Sequence, residues 1–366
     1  MKKILLVIDN LGSGGAQNQI TLLAIGLKNK GYDVTVFTYY PQDFFKSRLD
    51  ENSIKLIITT KKDKLGLNVV FSLIKFLKIN KFDVVISYLD TPNLYVSIAK
   101  LFINFKLIIS YRSSTSFSNL TYFKKNIKIW VNNVADFIVS NSHHEKENWI
   151  NYQPVVKNKF KTIYNLVVQP KINKLNFNFK SKELRILSVG TLSPLKNVEY
   201  IINSIYNLKK SGFGNFHYTW IGRKYFNNHD DLYYNKILEL ITFYDLSNNF
   251  TFLEPERNID SYYLENDVLI LASLTEGLPN VVCEAMSFGM PVIVSNVLDH
   301  PKLILNNING FCFNALDPNS LSEKLQEFSR LSFDKRNEMS FNNLKRSKEL
   351  FNEDIIIAEY ENLFFN

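Results

Sequence analysis

Short apolar runs alternate with amphipathic stretches along the chain. Residues 4–8 are apolar at consecutive positions up to Ile8, which predicts a strand buried on both faces. Residues 17–28 carry apolar side chains at helical spacing and stop before Gly31, predicting an amphipathic helix. Residues 33–38 predict the next strand, and the series continues at 84–87, 107–110 and 137–140. Alternation at this spacing predicts parallel βαβ units. Ser142-His143-His144-Glu145 has the form of a capping box, so a helix is expected to start there. A second series opens at 184–189, with strands expected near 216–221, 250–253, 267–272 and 291–295. No repeat of solenoid period is present.

The stretch 171–183 is rich in Lys, Asn and Ser and lacks apolar periodicity, which predicts a linker at 173–183. It separates an N-terminal α/β domain, 1–172, from a second of similar size, 184–345, followed by an apolar-periodic tail, 346–366. A chain of 366 residues is long enough for two such cores. It is 46% hydrophobic with both charge signs present, which excludes an intrinsically disordered chain. No run of apolar residues is long enough to span a bilayer, and the opening strand is too short for a signal peptide. Cys283 and Cys312 form no CxxC pair and are read as small core hydrophobes, so a reducing cytoplasm is the expected home.

The net charge of +8 admits nucleic acid, an anionic membrane or a phosphorylated substrate as partner. No nucleic-acid module signature is present, so a nucleic-acid partner is not expected. Two basic helical stretches stand out in the first half. One sets Leu67, Val70, Phe71, Ile74 and Leu77 on a face with Lys75 and Lys78 off it. The other sets Phe123, Ile127, Trp130, Val131 and Val134 on a face with Lys124, Lys125 and Lys128 outside it. Both fit ordinary surface helices packed on a core, and both fit helices that dock on an anionic bilayer.

The richest chemistry lies at Glu276-Gly277-Leu278-Pro279-Asn280-Val281-Val282-Cys283-Glu284-Ala285, two carboxylates eight positions apart. The preceding 267–272 is a predicted buried strand, and Pro279 suits the first position of a helix. Glu276 then stands ahead of the helix N-terminus, with Glu284 about 8 Å further along the axis. A helix N-terminus attracts phosphate through its unpaired N–H groups and dipole. Carboxylates on either side of a diphosphate suit hydroxyls of two different sugar rings. The same spacing also occurs in a plain strand, turn and helix.

The longer segment, from Glu276 through Ala285-Met286-Ser287-Phe288-Gly289-Met290-Pro291-Val292-Ile293, resembles the donor site of retaining glycosyltransferases of family 4. The resemblance continues upstream through Phe252-Leu253-Glu254-Pro255 and the strand before Glu276. It implies an α/β GT-B architecture: two Rossmann-like domains with parallel sheets facing a central cleft, and a last helix crossing back to the N-terminal domain. It implies that Glu284 accepts hydrogen bonds from ribose, and that Glu276 with the backbone of Gly277, Leu278, Pro279 and Asn280 positions the transferred sugar. It also implies that the leaving phosphate itself helps deprotonate the acceptor, so no side chain is assigned as general base.

Val189-Gly190-Thr191-Leu192-Ser193-Pro194-Leu195-Lys196-Asn197 resembles the family's Gly-Arg-Leu…Lys-Gly segment, where arginine and lysine neutralise the diphosphate. Lys196 matches the lysine. Thr191 replaces the arginine and Asn197 the glycine; Arg223 is a candidate for the missing charge. Gly12-Ser13-Gly14-Gly15-Ala16-Gln17 is neither a dinucleotide fingerprint, since Gln17 takes the third glycine's place, nor a P-loop. A tight turn accounts for it; the resemblance sets Gly14 and Gly15 near donor phosphates and acceptor. Arg112, in Ser110-Tyr111-Arg112-Ser113, stands where some members carry a histidine. It is a candidate for an acceptor or phosphate contact and equally for a helix cap or a structural ion pair. His143, His144, His217, His229 and His300 fall outside the motifs and are read as surface or structural residues.

No D-x-D triplet occurs, so no metal and no cofactor are expected beyond a nucleoside-diphosphate sugar as donor substrate. The resemblance, with the basic helices, implies transfer to a glycan acceptor, lipid-linked, in bacterial surface polysaccharide (O-antigen or capsule) assembly, on the inner face of the cytoplasmic membrane. A GT-B nucleotide-sugar 2-epimerase and a non-catalytic GT-B partner subunit remain as alternatives.

Overall fold

The computed structural model describes residues 2–114, 117–170, 183–224, 232–256 and 258–365. The chain divides into two compact units, Met1–Leu166 with Glu353–Asn366, and Val167–Asn352.

The first unit runs β1 (Lys3–Val7), α1 (Gly15–Asn29), β2 (Asp33–Thr38), α2 (Lys46–Glu51), β3 (Lys55–Ile58), α3 (Leu67–Asn80), β4 (Val84–Tyr88), α4 (Asp90–Lys100), β5 (Lys106–Tyr111), α5 (Tyr122–Val134), β6 (Phe137–Ser140), α6 (His143–Tyr152) and β7 (Phe160–Thr162). Its seven strands form one parallel sheet in the order β3-β2-β1-β4-β5-β6-β7. Ile4, Leu6 and Ile8 pack into one core, Leu5 and Val7 into another on the opposite face. That division explains the unbroken apolar run: strand side chains alternate between faces, and helices cover both. Ser142 Oγ accepts from the Glu145 N–H at 3.2 Å, so the helix starts where read, while Glu145 Oε1 accepts from Trp149 Nε1 at 2.9 Å.

The two basic helices divide their faces differently from the expectation. In α3 the buried residues are Val69, Val70, Leu73 and Leu77, whereas Leu67 and Phe71 are exposed, Phe71 at 70%. In α5, Val131 is buried while Phe123 is 73% exposed beside Tyr122. Both helices pack beside α4, and which of their residues are covered depends on such neighbours, which periodicity alone does not specify.

The second unit runs β8 (Leu184–Val189), α7 (Val198–Lys210), β9 (Phe216–Ile221), α8 (Leu232–Phe243), β10 (Phe250–Leu253), α9 (Asp260–Glu265), β11 (Val268–Leu271), α10 (Asn280–Ser287), β12 (Val292–Ser295), α11 (His300–Leu303), β13 (Gly310–Phe313), α12 (Ser320–Ser329) and α13 (Phe333–Leu350). Its six strands are parallel, in the order β10-β9-β8-β11-β12-β13. One core gathers Ile201, Ile205, Ile237 and Leu325 over this sheet.

The tail expected over 346–366 is not one element. Helix α13 ends at Leu350, and a separate helix α14 (Glu353–Phe365) packs Ile356, Ile357 and Tyr360 into the core of the first unit. Of the expected linker at 173–183, all but Glu183 lies outside the described residues.

Candidate active site

The site in the second unit is assembled at the ends of neighbouring strands. β8 and β11 pair in parallel, Val268 with Ile186 and Leu269 with Leu187, so the loops that leave them run side by side. The Leu274 N–H donates to the Leu195 carbonyl at 2.9 Å, tying one loop to the other. This brings Lys196 and Glu276 together across 80 residues of sequence: Lys196 Nζ donates to Glu276 Oε1. Ser273 Oγ donates to the same oxygen at 2.8 Å. Oε2 of Glu276 carries no hydrogen bond among the described residues, and the side chain keeps 19% of its exposure. A carboxylate held by one oxygen presents the other.

The Lys196 turn reconciles the departure at Asn197. Asn197 sits at φ +56°, ψ +43°, in the left-handed region, and opens α7. Asparagine enters that region at lower cost than other non-glycine residues, so it stands in for the expected glycine. Glycine is needed close by, at Gly222. Its φ is +151°, and an added Cβ would lie 2.1 Å from the Gly190 carbonyl oxygen. Trp220 Nε1 donates to that same oxygen at 2.8 Å, and the Leu192 N–H donates to the Arg223 carbonyl at 2.8 Å. The Gly222-Arg223 turn therefore lies against the Gly190-Thr191-Leu192 segment, which places the Arg223 backbone beside the position where the family's arginine is replaced.

Helix α10 begins at Asn280, with Pro279 as the residue before it rather than its first member. Leu278 and Pro279 are buried, and the backbone N–H groups of Gly277 and Val281 carry no hydrogen bond among the described residues. One turn along, Glu284 Oε2 accepts from the Tyr263 hydroxyl at 2.8 Å. Tyr263 is buried and stacks on Phe288, ring centroids 5.2 Å apart; burial raises its hydroxyl pKa well above the ordinary value. Sequence reasoning passed over Tyr263 and Ser273, because neither lies in a motif that the spacing of the carboxylates calls for.

The remaining predicted residues belong to the first unit. Asp9 Oδ1 accepts from the Asn10 N–H at 2.7 Å and from Gln17 Nε2 at 3.2 Å; burial raises the Asp9 pKa. A Cβ on Gly14 would lie 2.2 Å from Gln17 Oε1, so the residue that breaks the dinucleotide pattern folds its amide against the Gly14-Gly15 turn. Arg112 donates to Asn165 Oδ1 at 3.0 Å and to the hydroxyls of Tyr88 and Tyr360, with its guanidinium 4.0 Å from the Tyr88 ring centroid. No carboxylate pairs with it among the described residues. The ion pair open to it from sequence is thus replaced by neutral oxygens from β4, α14 and the loop after β7. Among the described residues no group of three or more His, Cys, Asp or Glu is placed to hold a metal, and no helix is long and apolar enough to cross a membrane.

The model for glycosyl transferases group 1 matches residues 171–346, and that for glycosyltransferase family 4 matches residues 13–168. An amylovoran biosynthesis glycosyltransferase of Erwinia amylovora is 25% identical over 84% of each chain. A GalNAc-alpha-(1->4)-GalNAc-alpha-(1->3)-diNAcBac-PP-undecaprenol alpha-1,4-N-acetyl-D-galactosaminyltransferase of Campylobacter jejuni is 28% identical over 89% of this chain and 88% of its own. Among solved structures, Anabaena Alr3699/HepE in complex with UDP and glucose superposes with a TM-score of 0.85 at 17% identity, covering 99% of both chains. The fold is the GT-B fold of such enzymes. The two models lie in tandem and together span nearly the whole chain, so the protein belongs to the glycosyltransferases described by the family 4 and group 1 models and is itself a glycosyltransferase, related to enzymes named for bacterial polysaccharide biosynthesis.

Proposed function

We propose that the protein transfers a sugar, with retention, from a nucleoside-diphosphate sugar to a lipid-linked glycan during assembly of a bacterial surface polysaccharide. The observation that carries this reading is the Lys196–Glu276 pair, with Glu276 held through one oxygen only. Glu276 keeps its second oxygen for hydroxyls of the transferred sugar, aided by the backbone of Gly277, Leu278, Pro279 and Asn280. Lys196, with a single acceptor on its ammonium, keeps two donors for the diphosphate. Charge grows on that leaving group in the transition state, and a fixed cation stabilises it most there. Glu284, turned by Tyr263, takes the ribose hydroxyls, and Arg223 supplies the charge that Thr191 does not.

In the first unit Gly14, Gly15 and Arg112 are assigned to acceptor or phosphate. A half-buried guanidinium bonded only to neutral oxygens retains its charge for such a contact. The names of the relatives support the substrates: one is named for an undecaprenol diphosphate-linked glycan, and Anabaena HepE is solved with UDP and glucose and with UDP-glucose. The exposed Phe71, Tyr122 and Phe123, set among lysines on α3 and α5, support docking on an anionic membrane surface. No metal ion is assigned to the diphosphate.

The test is a calorimetric titration with UDP, GDP, ADP and CMP, alongside Glu284→Ala. One nucleoside diphosphate is expected to bind, and the variant to weaken it by about 1–3 kcal/mol through an unpaired ribose. Binding of none, or an unchanged Glu284→Ala, overturns the donor-site assignment.

A further inference from the structure

The site leaves one fully buried ring unexplained. His300 opens α11 with no exposure, five residues beyond Ser295 at the end of β12. Its Nδ1 lies 2.8 Å from the Ser295 carbonyl oxygen and 3.5 Å from Ser295 Oγ. A carbonyl only accepts, so Nδ1 carries the proton. The Ser295 hydroxyl in turn donates to the Ser273 carbonyl at 2.6 Å, joining the end of β12 to the end of β11. Ser273 then donates from Oγ to Glu276 Oε1 at 2.8 Å. Three donors point in one direction, from the imidazole towards the carboxylate, and all three residues are fully buried: Ser273 just past β11, Ser295 at the end of β12 and His300 at the start of α11.

We propose that His300 is a positioning residue for Glu276, acting through Ser295 and Ser273 to fix which oxygen of the carboxylate is held and which is presented. The inference rests on the donor-site reading given above. Buried polar groups cost free energy unless bonded, and Nε2 of this ring has no partner among the described residues. An apolar side chain of equal volume would avoid that cost, so packing does not account for the imidazole; the Nδ1 bond does. Burial lowers the pKa of the ring, with Lys196 adding to this and the Ser295 carbonyl, Glu276 and Asp299 opposing it. A neutral ring adds no second cation beside Lys196 and keeps Nε2 free of a proton it has no acceptor for.

The experiment uses the full chain and five donors: UDP-glucose, UDP-galactose, UDP-N-acetylglucosamine, UDP-N-acetylgalactosamine and GDP-mannose. The donor that the wild type hydrolyses fastest without acceptor gives the rate, and the matching nucleoside diphosphate gives a dissociation constant. His300→Leu is expected to slow hydrolysis about tenfold while the dissociation constant stays within about threefold, because only the sugar-holding carboxylate is displaced. His300→Asn, whose amide N–H falls near the Nδ1 position, is expected to recover the rate to within about threefold of wild type. In a Glu276→Gln background His300→Leu should add less than about twofold, since coupled residues are not additive. Should His300→Leu fail to fold, Ser295→Ala removes one hydroxyl from the same relay and must show the same pattern.

Equal losses of rate and nucleotide affinity, failure of His300→Asn to rescue, or a full loss in the Glu276→Gln background would reduce His300 to a structural residue. A wild type that hydrolyses none of the five donors, or a Glu276→Gln as fast as wild type, overturns the donor-site reading, and this inference with it.

Discussion

The Tyr263 hydroxyl donates to Glu284 Oε2 at 2.8 Å, from α9 to the middle of α10. Because burial raises the Tyr263 pKa, the hydroxyl keeps its proton throughout the working pH range and remains a donor. Tyr263→Phe removes one hydrogen bond to a carboxylate without opening a cavity. Nucleoside-diphosphate affinity is expected to fall by about 0.5–1.5 kcal/mol, read by calorimetry. An unchanged affinity shows that Glu284 is oriented without the Tyr263 hydroxyl.

Lys196 is assigned the work that a divalent ion does in other transferases. Lys196→Ala should lower turnover by about 10²–10³-fold, in the range lost with one preorganised charge donor. Chelation with EDTA should leave the wild-type rate unchanged. A chelator-sensitive rate restored by magnesium or manganese would show instead that the diphosphate is held through a metal.

Gly222→Ala is expected to destabilise the second unit. The new Cβ meets backbone, the Gly190 carbonyl oxygen at 2.1 Å, and φ of +151° admits few residues other than glycine. The loss should exceed about 2 kcal/mol in urea unfolding, with a lower midpoint. A smaller loss shows that the turn relaxes.

The lowered pKa of His300 has a definite sign in stability. Between its folded pKa and the ordinary 6.5 the unfolded chain binds more protons than the folded one. Stability from this group is therefore full above 6.5 and is lost as pH falls through the window below it. Comparing urea midpoints at about pH 7.5 and about pH 5.5, His300→Asn should lose less than wild type on acidification. Identical losses place the acid sensitivity elsewhere.

Lipid docking through α3 and α5 predicts co-sedimentation with vesicles containing phosphatidylglycerol but not with pure phosphatidylcholine, weakening as salt rises. Lys75→Glu and Lys124→Glu should each remove at least about 1 kcal/mol. Phe71→Ser with Phe123→Ser should weaken binding at high salt as well, where only apolar insertion remains. Equal binding to both vesicle types would exclude the electrostatic part.

The sequence alone marked ten of the thirteen described strands, since side-chain alternation and apolar spacing are local properties of the backbone; β3, β7 and β13, short strands at the sheet edges, were not read. It also placed Lys196, Glu276 and Glu284 in their loops and helix, because glycine, proline and a following apolar run dictate a turn and a helix start. Tertiary structure decided which of them meet. Lys196 reaches Glu276, 80 positions further along the chain, only because β8 and β11 are neighbours in the sheet. The contacts of Tyr263, Ser273 and His300 with this segment were illegible for the same reason: they are set by strand order and helix packing, which no spacing along the chain encodes. Burial on α3 and α5 was misread because periodicity gives the direction of an apolar stripe, while a neighbouring helix decides how much of it is covered.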